Sequence, residues 1–130
     1  SMNGCHKITD KAVEMLADNC PGIHTLNLAE CTHLTGASLK SLTKFSKLQK
    51  LNLSSCVGIE ETAFKVFPRT ITHLDLSRTY ITDNSLTQIA SQCSQLQEVF
   101  LNFCQVSKSF TALAEKCHEI LILHATNTKI

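Results

Sequence analysis

Leu48-Gln49-Lys50-Leu51-Asn52-Leu53-Ser54-Ser55-Cys56 sets a frame, L-x-x-L-x-L-x-x-C, that returns along the whole chain. Ile23-x-x-Leu26-x-Leu28-x-x-Cys31 precedes it. Ile71-x-x-Leu74-x-Leu76-x-x-Thr79 and Leu96-x-x-Val99-x-Leu101-x-x-Cys104 follow, and Ile120-x-x-Leu123-x-Ala125-x-x-Thr128 is a weaker fifth copy. Equivalent positions 28, 53, 76, 101 and 125 lie 25, 23, 25 and 24 residues apart. Self-similarity at a period of this length marks stacked repeat units. Within each frame the alternation of L-x-L sends Leu26 and Leu28 to one side and Asn27 to the other, as a short half-buried strand does.

A second element recurs between the frames. Ile8-Thr9-Asp10 is followed by Val13, Leu16, Ala17 and Cys20; Ile81-Thr82-Asp83 is followed by Leu86, Ile89, Ala90 and Cys93. Apolar residues three and four apart mark one face of a helix of about three turns, and Thr or Asp just ahead of it can cap the free N–H groups. Cys20-Pro21-Gly22 ends the first such helix. The third unit departs from the rest: Ile59-Glu60-Glu61 replaces Ile-Thr-Asp, and Ile59 to Ile71 is 12 residues against 15 from Ile8 to Ile23. The spacing predicts a shortened, 3₁₀-like segment ending at Phe67-Pro68.

No unit can bury its apolar face alone, so units stack and share one core. Parallel strands lie about 4.8 Å apart whereas packed helices need about 10 Å, so the stack curves with the sheet inside. The expected fold is α/β: a solenoid of about five repeats over 1–130, parallel sheet on the concave face, helices on the convex face. Ser1-Met2 reads as an expression scar, and Cys5 already stands at the ninth frame position. The chain therefore reads as a fragment or a short array whose uncapped ends invite self-association or a partner.

These motifs resemble the cysteine-containing subtype of the leucine-rich repeat, whose pattern runs L-x-x-L-x-L-x-x-C-x-x-I-T-D-x-x-L-x-x-L-A-x-x-C. The resemblance spans Cys5 to Thr128. It implies a right-handed solenoid and a role in binding other proteins, as in F-box substrate receptors of cullin–RING ubiquitin ligases or bacterial effectors that imitate them. Thr79 and Thr128 depart at the strand-end cysteine, and Phe45 and Pro68 at the helix-end cysteine. No F-box-like helical segment lies in these residues, so ligase components are implied as partners by subtype alone.

Composition excludes several functions. Twelve basic and eleven acidic residues leave a net charge of +1, with no electrostatic footprint for nucleic acid or an acidic membrane. Ile120-Leu121-Ile122-Leu123 is the longest aliphatic run, far short of the roughly 20 residues of a membrane span. One Tyr, no Trp and four Gly support neither a base-stacking platform nor a phosphate loop. The cysteines number seven, an odd count. Cys5, Cys31, Cys56 and Cys104 fall on one ladder, and Cys20, Cys93 and Cys117 on another, each expected buried with its S–H on a loop carbonyl. Side chains on a ladder point in parallel, which disfavours disulfides and metal convergence and suits a reducing compartment, cytosol or nucleus. Cys5-His6 and Cys117-His118 are adjacent pairs whose side chains diverge, and no nucleophile, paired-carboxylate or nucleotide motif appears. No catalytic, cofactor or metal residue is expected.

The outward strand positions are left as the candidate site. They form the rows Thr25/Asn27/Ala29, Lys50/Asn52/Ser54, His73/Asp75/Ser77, Glu98/Phe100/Asn102 and Ile122/His124/Thr126. Lys50, His73, Asp75, Glu98, Phe100, Asn102, Ile122 and His124 are expected on a concave protein-binding face, with Arg78 and Phe103 at its rim. Asn27 and Asn52 are expected to point outward and keep the sheet soluble. An outward Phe flanked by charge resembles a binding hot spot. The alternative is that Phe100 and Ile122 are covered by a further repeat or flank, which would make the chain a scaffolding segment of a larger array.

Overall fold

The computed structural model describes residues 7–106, 109–117, 119 and 122–125. Five three-residue strands, β1 (Thr25–Asn27), β2 (Lys50–Asn52), β3 (His73–Asp75), β4 (Glu98–Phe100) and β5 (Ile122–His124), form one parallel sheet in chain order. Between them run α1 (Asp10–Asn19, ahead of β1), α2 (Gly36–Leu42), a 3₁₀ turn (Glu61–Lys65), α3 (Asp83–Gln92) and α4 (Ser109–Lys116). Each convex element packs on the next: α1 on α2, α2 on the 3₁₀ turn, the turn on α3, α3 on α4. This is the α/β solenoid that the spacing predicts.

Register follows the sequence frame. Lys50, His73, Glu98 and Ile122 form one row across β2–β5; Asn27, Asn52, Asp75, Phe100 and His124 form another across all five strands. The alternate positions Leu26, Leu51, Leu74 and Val99 are buried, as are Leu28, Leu53, Leu76 and Leu101 at the strand ends. Together with Val13, Leu39, Leu42, Leu86, Ile89 and Leu113 of the helices they make one continuous core. Each such aliphatic side chain contributes about 1.5–3 kcal/mol on burial, so the shared core holds the units together.

Two convex elements differ from the three-turn expectation. α2 has 7 residues and the third unit has the 3₁₀ turn of 5, ending just ahead of Phe67 as the shortened spacing predicts. Large side chains fill the space: Phe45, Phe64 and Phe67 are fully buried, the last two with ring centroids 6.3 Å apart. Gln92 of α3 clips the short turn, its Oε1 accepting from Phe67 N at 3.1 Å and its Nε2 donating to Phe64 O at 3.2 Å.

Capping is partly rearranged. Thr35 and Thr82 accept from N–H groups in the first turns of their own helices, at Ala37 and Ser85, whereas Thr9 makes no side-chain cap. Asp10 instead reaches the next unit, where its carboxylate accepts from Thr35 N (2.9 Å), Thr35 Oγ1 (2.6 Å) and Ser38 Oγ (2.5 Å). Partial burial pushes this carboxyl's pKa up, but the Ser38 and Thr35 hydrogen bonds outweigh it and hold the pKa below the ordinary value. The acidic residue of the Ile-Thr-Asp triplet is thus an inter-repeat staple.

The cysteine ladders form as expected at five places, Cys31 being buried with its Sγ donating to Ala29 O of its own unit at 3.8 Å and the other four reaching across units. Cys56 Sγ donates to Leu28 O at 3.0 Å, Cys104 Sγ to Leu76 O at 3.1 Å, Cys93 Sγ to Pro68 O at 3.1 Å and Cys117 Sγ to Cys93 O at 3.2 Å, each acceptor belonging to the preceding unit. Thr79 takes the same role within its own unit, Oγ1 to Leu76 O at 2.6 Å. Cys20 departs: it is exposed. Cys5, His6, His118 and Thr128 lie outside the described residues.

Candidate functional site

The concave face is shaped by what each strand's last residue can do. Asn27 Oδ1 accepts from Ala29 N at 3.0 Å, Asn52 Oδ1 from Ser54 N at 2.9 Å and Asp75 Oδ1 from Ser77 N at 2.9 Å. Short Asn and Asp side chains make this local turn, satisfying an N–H two residues on. Asn27 and Asn52, expected only to keep the sheet soluble, therefore end their strands, and so does Asp75. The turn leads into a left-handed residue in three units, Glu30 (φ 64°), Ser55 (φ 59°) and Arg78 (φ 58°), and Phe103 (φ 63°) takes the same conformation after β4. Backbone bonds between units hold the first three there, Glu30 N donating to Ser54 O, Ser55 N to Ser77 O and Arg78 N to Asn102 O.

At Phe100 the row of Asx turns stops. A phenyl ring cannot accept the N–H, and Ser77 Oγ of the neighbouring unit takes the Asn102 N–H instead, at 3.1 Å. Freed from that role, Phe100 stacks on His124 of β5, ring centroids 4.0 Å apart and planes 4° from parallel. The folded-down Asx side chains and the standing ring together make a step. At its foot is a shallow groove of about 240 Å³, lined by Thr25, Asn27, Lys50, Asn52, His73, Asp75 and Phe100 with the backbone of β1–β3.

Of the expected site residues, Lys50, His73, Asp75 and Phe100 line this one groove. His124 backs the wall, and Glu98 stands beside His73 in the row that runs from Thr25 through Lys50. His73 Nδ1 shares a hydrogen bond with Thr72 Oγ1 at 2.8 Å. Arg78 and Phe103 form a separate pair at the rim, the guanidinium 4.1 Å from the ring centroid, with Phe103 45% exposed. Asn102 serves the turn after β4. Ile122 is in β5, and its side chain, like Leu121 and Thr126, lies outside the described residues. Thr25, Asn27 and Asn52 line the groove though the sequence reading did not choose them; the recurrence of Asn or Asp in L-x-L was the signal available.

Among the described residues no group of three His, Cys, Asp or Glu is placed to hold a metal, and no helix is long and apolar enough to cross a membrane. Burial pushes the thiols of Cys56 and Cys93 up to about 12, and those of Cys104 and Cys117 also upward, away from the thiolate that a nucleophile requires.

A family profile described as a leucine-rich repeat matches residues 67–90, the segment from Phe67 through β3 into α3. The chain has the leucine-rich repeat fold. The chain is similar to F-box/LRR-repeat protein 4 of Bos taurus, 28% identical over an alignment of 137 positions that covers 82% of this chain. The chain spans 22% of that relative's length. Among solved structures, a chain in the crystal structure of the Rad7 and Elc1 complex in yeast matches with a TM-score of 0.79 and 22% identity, over 97% of this chain and 34% of that one. The actin-binding site 2 of leiomodin-1 matches with a TM-score of 0.66 and 18% identity, over 92% of this chain and 79% of that one. Both structures share the leucine-rich repeat fold.

Proposed function

We propose that this leucine-rich repeat chain is a protein-recognition module that holds its partner in the concave groove walled by Phe100, and that it selects substrates for an F-box type ubiquitin ligase. The groove is the observation that carries the reading. It is lined by side chains from four adjacent strands, held at fixed spacing by the sheet, so little ordering entropy is lost when a partner docks. A half-buried ring braced by a second ring supplies the kind of rigid aromatic contact from which interfaces draw most of their energy. Support for the ligase role comes from the F-box/LRR relative, whose own name carries the link.

The test is affinity capture from eukaryotic lysate with the wild-type chain and Phe100→Ala, after both give matching circular dichroism and melting. Clients lost only from the variant support the concave site, and ligase subunits recovered with the wild-type chain support the ligase role. Identical captures overturn the first statement; a concave client set without any ligase subunit overturns the second.

A further inference from the structure

Building on the concave-face reading above, we propose that the groove takes a basic side chain of the partner protein, arginine in preference to lysine, laid on the Phe100 ring between the carboxylates of Asp75 and Glu98. His124 covers one face of that ring, and the side turned away from β5 borders the groove. Asp75 is the register neighbour of Phe100 on β3, and Glu98 is two residues back on β4, hence on the same face of the sheet. Neither carboxylate is in an ion pair among the described residues, where the pairs are Lys11 with Glu14 and Lys44 with Asp18. An aromatic face beside the Asp75 carboxylate, with Glu98 further along the same face of β4 and outside the groove lining, attracts a cation through the ring quadrupole and through charge together. A planar guanidinium can stack on the ring while its edges meet both carboxylates, which a lysine ammonium cannot do.

The rest of the groove fixes the polarity. Lys50 lies two strands away from Phe100 and one same-face step along, in the Glu98 row, about 12 Å at ordinary strand spacing and rise, and repels a cation from the β1–β2 end. The basic residue therefore docks over β3 and β4, and an acidic group on the same partner suits Lys50. The chain already contains one contact of this kind, Arg78 over Phe103 at the rim.

The experiment is a two-dimensional NMR titration of the ¹⁵N-labelled chain at pH 7.5 and low salt with three probes: the N-acetyl amides of arginine, leucine and glutamate. The arginine probe is expected to shift the amides of Asp75, Glu98 and Phe100 saturably, with affinity about fivefold or more above the other two. The double variant Asp75→Asn, Glu98→Gln is expected to lose about fivefold or more of that affinity while staying folded, because Asn at 75 retains the acceptor that Asn27 and Asn52 use. Equal responses to leucine or glutamate, shifts centred elsewhere, or arginine affinity within about twofold in the double variant overturn the assignment. Client capture separates the two claims. If Phe100→Ala removes the client while arginine shows no preference, only the basic side chain falls; if capture survives Phe100→Ala, the concave reading itself falls.

Discussion

Replacing Asp75 by Ala or by Asn separates a hydrogen bond from a charge. Asp75 Oδ1 accepts from Ser77 N at 2.9 Å, and both residues are largely shielded from solvent. Removing the acceptor leaves a partly buried N–H unpaired, which costs about 1–2 kcal/mol, the lower part of the range because water can reach half-buried groups. Unfolding entropy of about 2.1 cal/mol/K per residue gives roughly 0.27 kcal/mol/K for a chain of this length, so Asp75→Ala should melt about 4–7 °C lower. Asp75→Asn keeps an oxygen at the same place and should stay within about 2 °C of the wild type. Thermal melting followed by circular dichroism at neutral pH reads both. Equal losses in Ala and Asn would mean that charge, not the turn, holds the strand end; no loss in Ala would mean that the turn contributes nothing. Either result refutes the reasoning about the Asx row.

Other expectations follow from the same stacking. In a Cys5→Ser background, one thiol, Cys20, should react within seconds with an aromatic disulfide reagent at pH 8 while the buried thiols wait for unfolding; fast labelling of a second would refute the ladder account. Because the folded pKa values of Cys56 and Cys93 are raised from 9.0 to about 12, their contribution to stability is complete below pH 9 and lost as pH rises toward 12, which melting at stepped alkaline pH will show. A Cβ at Gly58 would lie 2.5 Å from Leu34 O and 2.7 Å from Thr32 O, both backbone atoms of the preceding unit, so Gly58→Ala should cost about 1–3 kcal/mol in urea unfolding. Ser55 holds a left-handed conformation, so Ser55→Gly should be neutral or stabilising and Ser55→Val destabilising by about 1–2 kcal/mol on the same assay.

The repeat was legible because burial admits few residue types: Leu26, Leu51, Leu74 and Val99 must be apolar and must recur at the strand period. The 3₁₀ turn was legible from a length deficit, since residues missing between two fixed strands leave room only for a tighter element. The Asx turns escaped because Asn and Asp on a strand serve solubility, binding or turns equally well, and only the carbonyl geometry of the next two residues decides. The left-handed position escaped for a different reason. Glu30, Ser55, Arg78 and Phe103 share no chemistry and include no Gly, and in the first three an inter-unit backbone bond imposes the conformation whatever the side chain. On the candidate site, alternation places Lys50, His73, Asp75 and Phe100 on the groove, whereas Ala29 and Ser77, read as outward, are buried, and the division into a floor, a wall and a separate rim pair depends on where the Asx row ends and where rings stack.

The central claim, that partners dock in the concave groove, is tested most directly by site-specific photo-crosslinking. A photoreactive residue is placed at Lys50 in the groove or at Lys40 on α2 of the convex face, both exposed positions, and each variant is irradiated with a captured client. The account predicts a covalent adduct from position 50 and none from position 40. An adduct from position 40 with none from position 50 would contradict it.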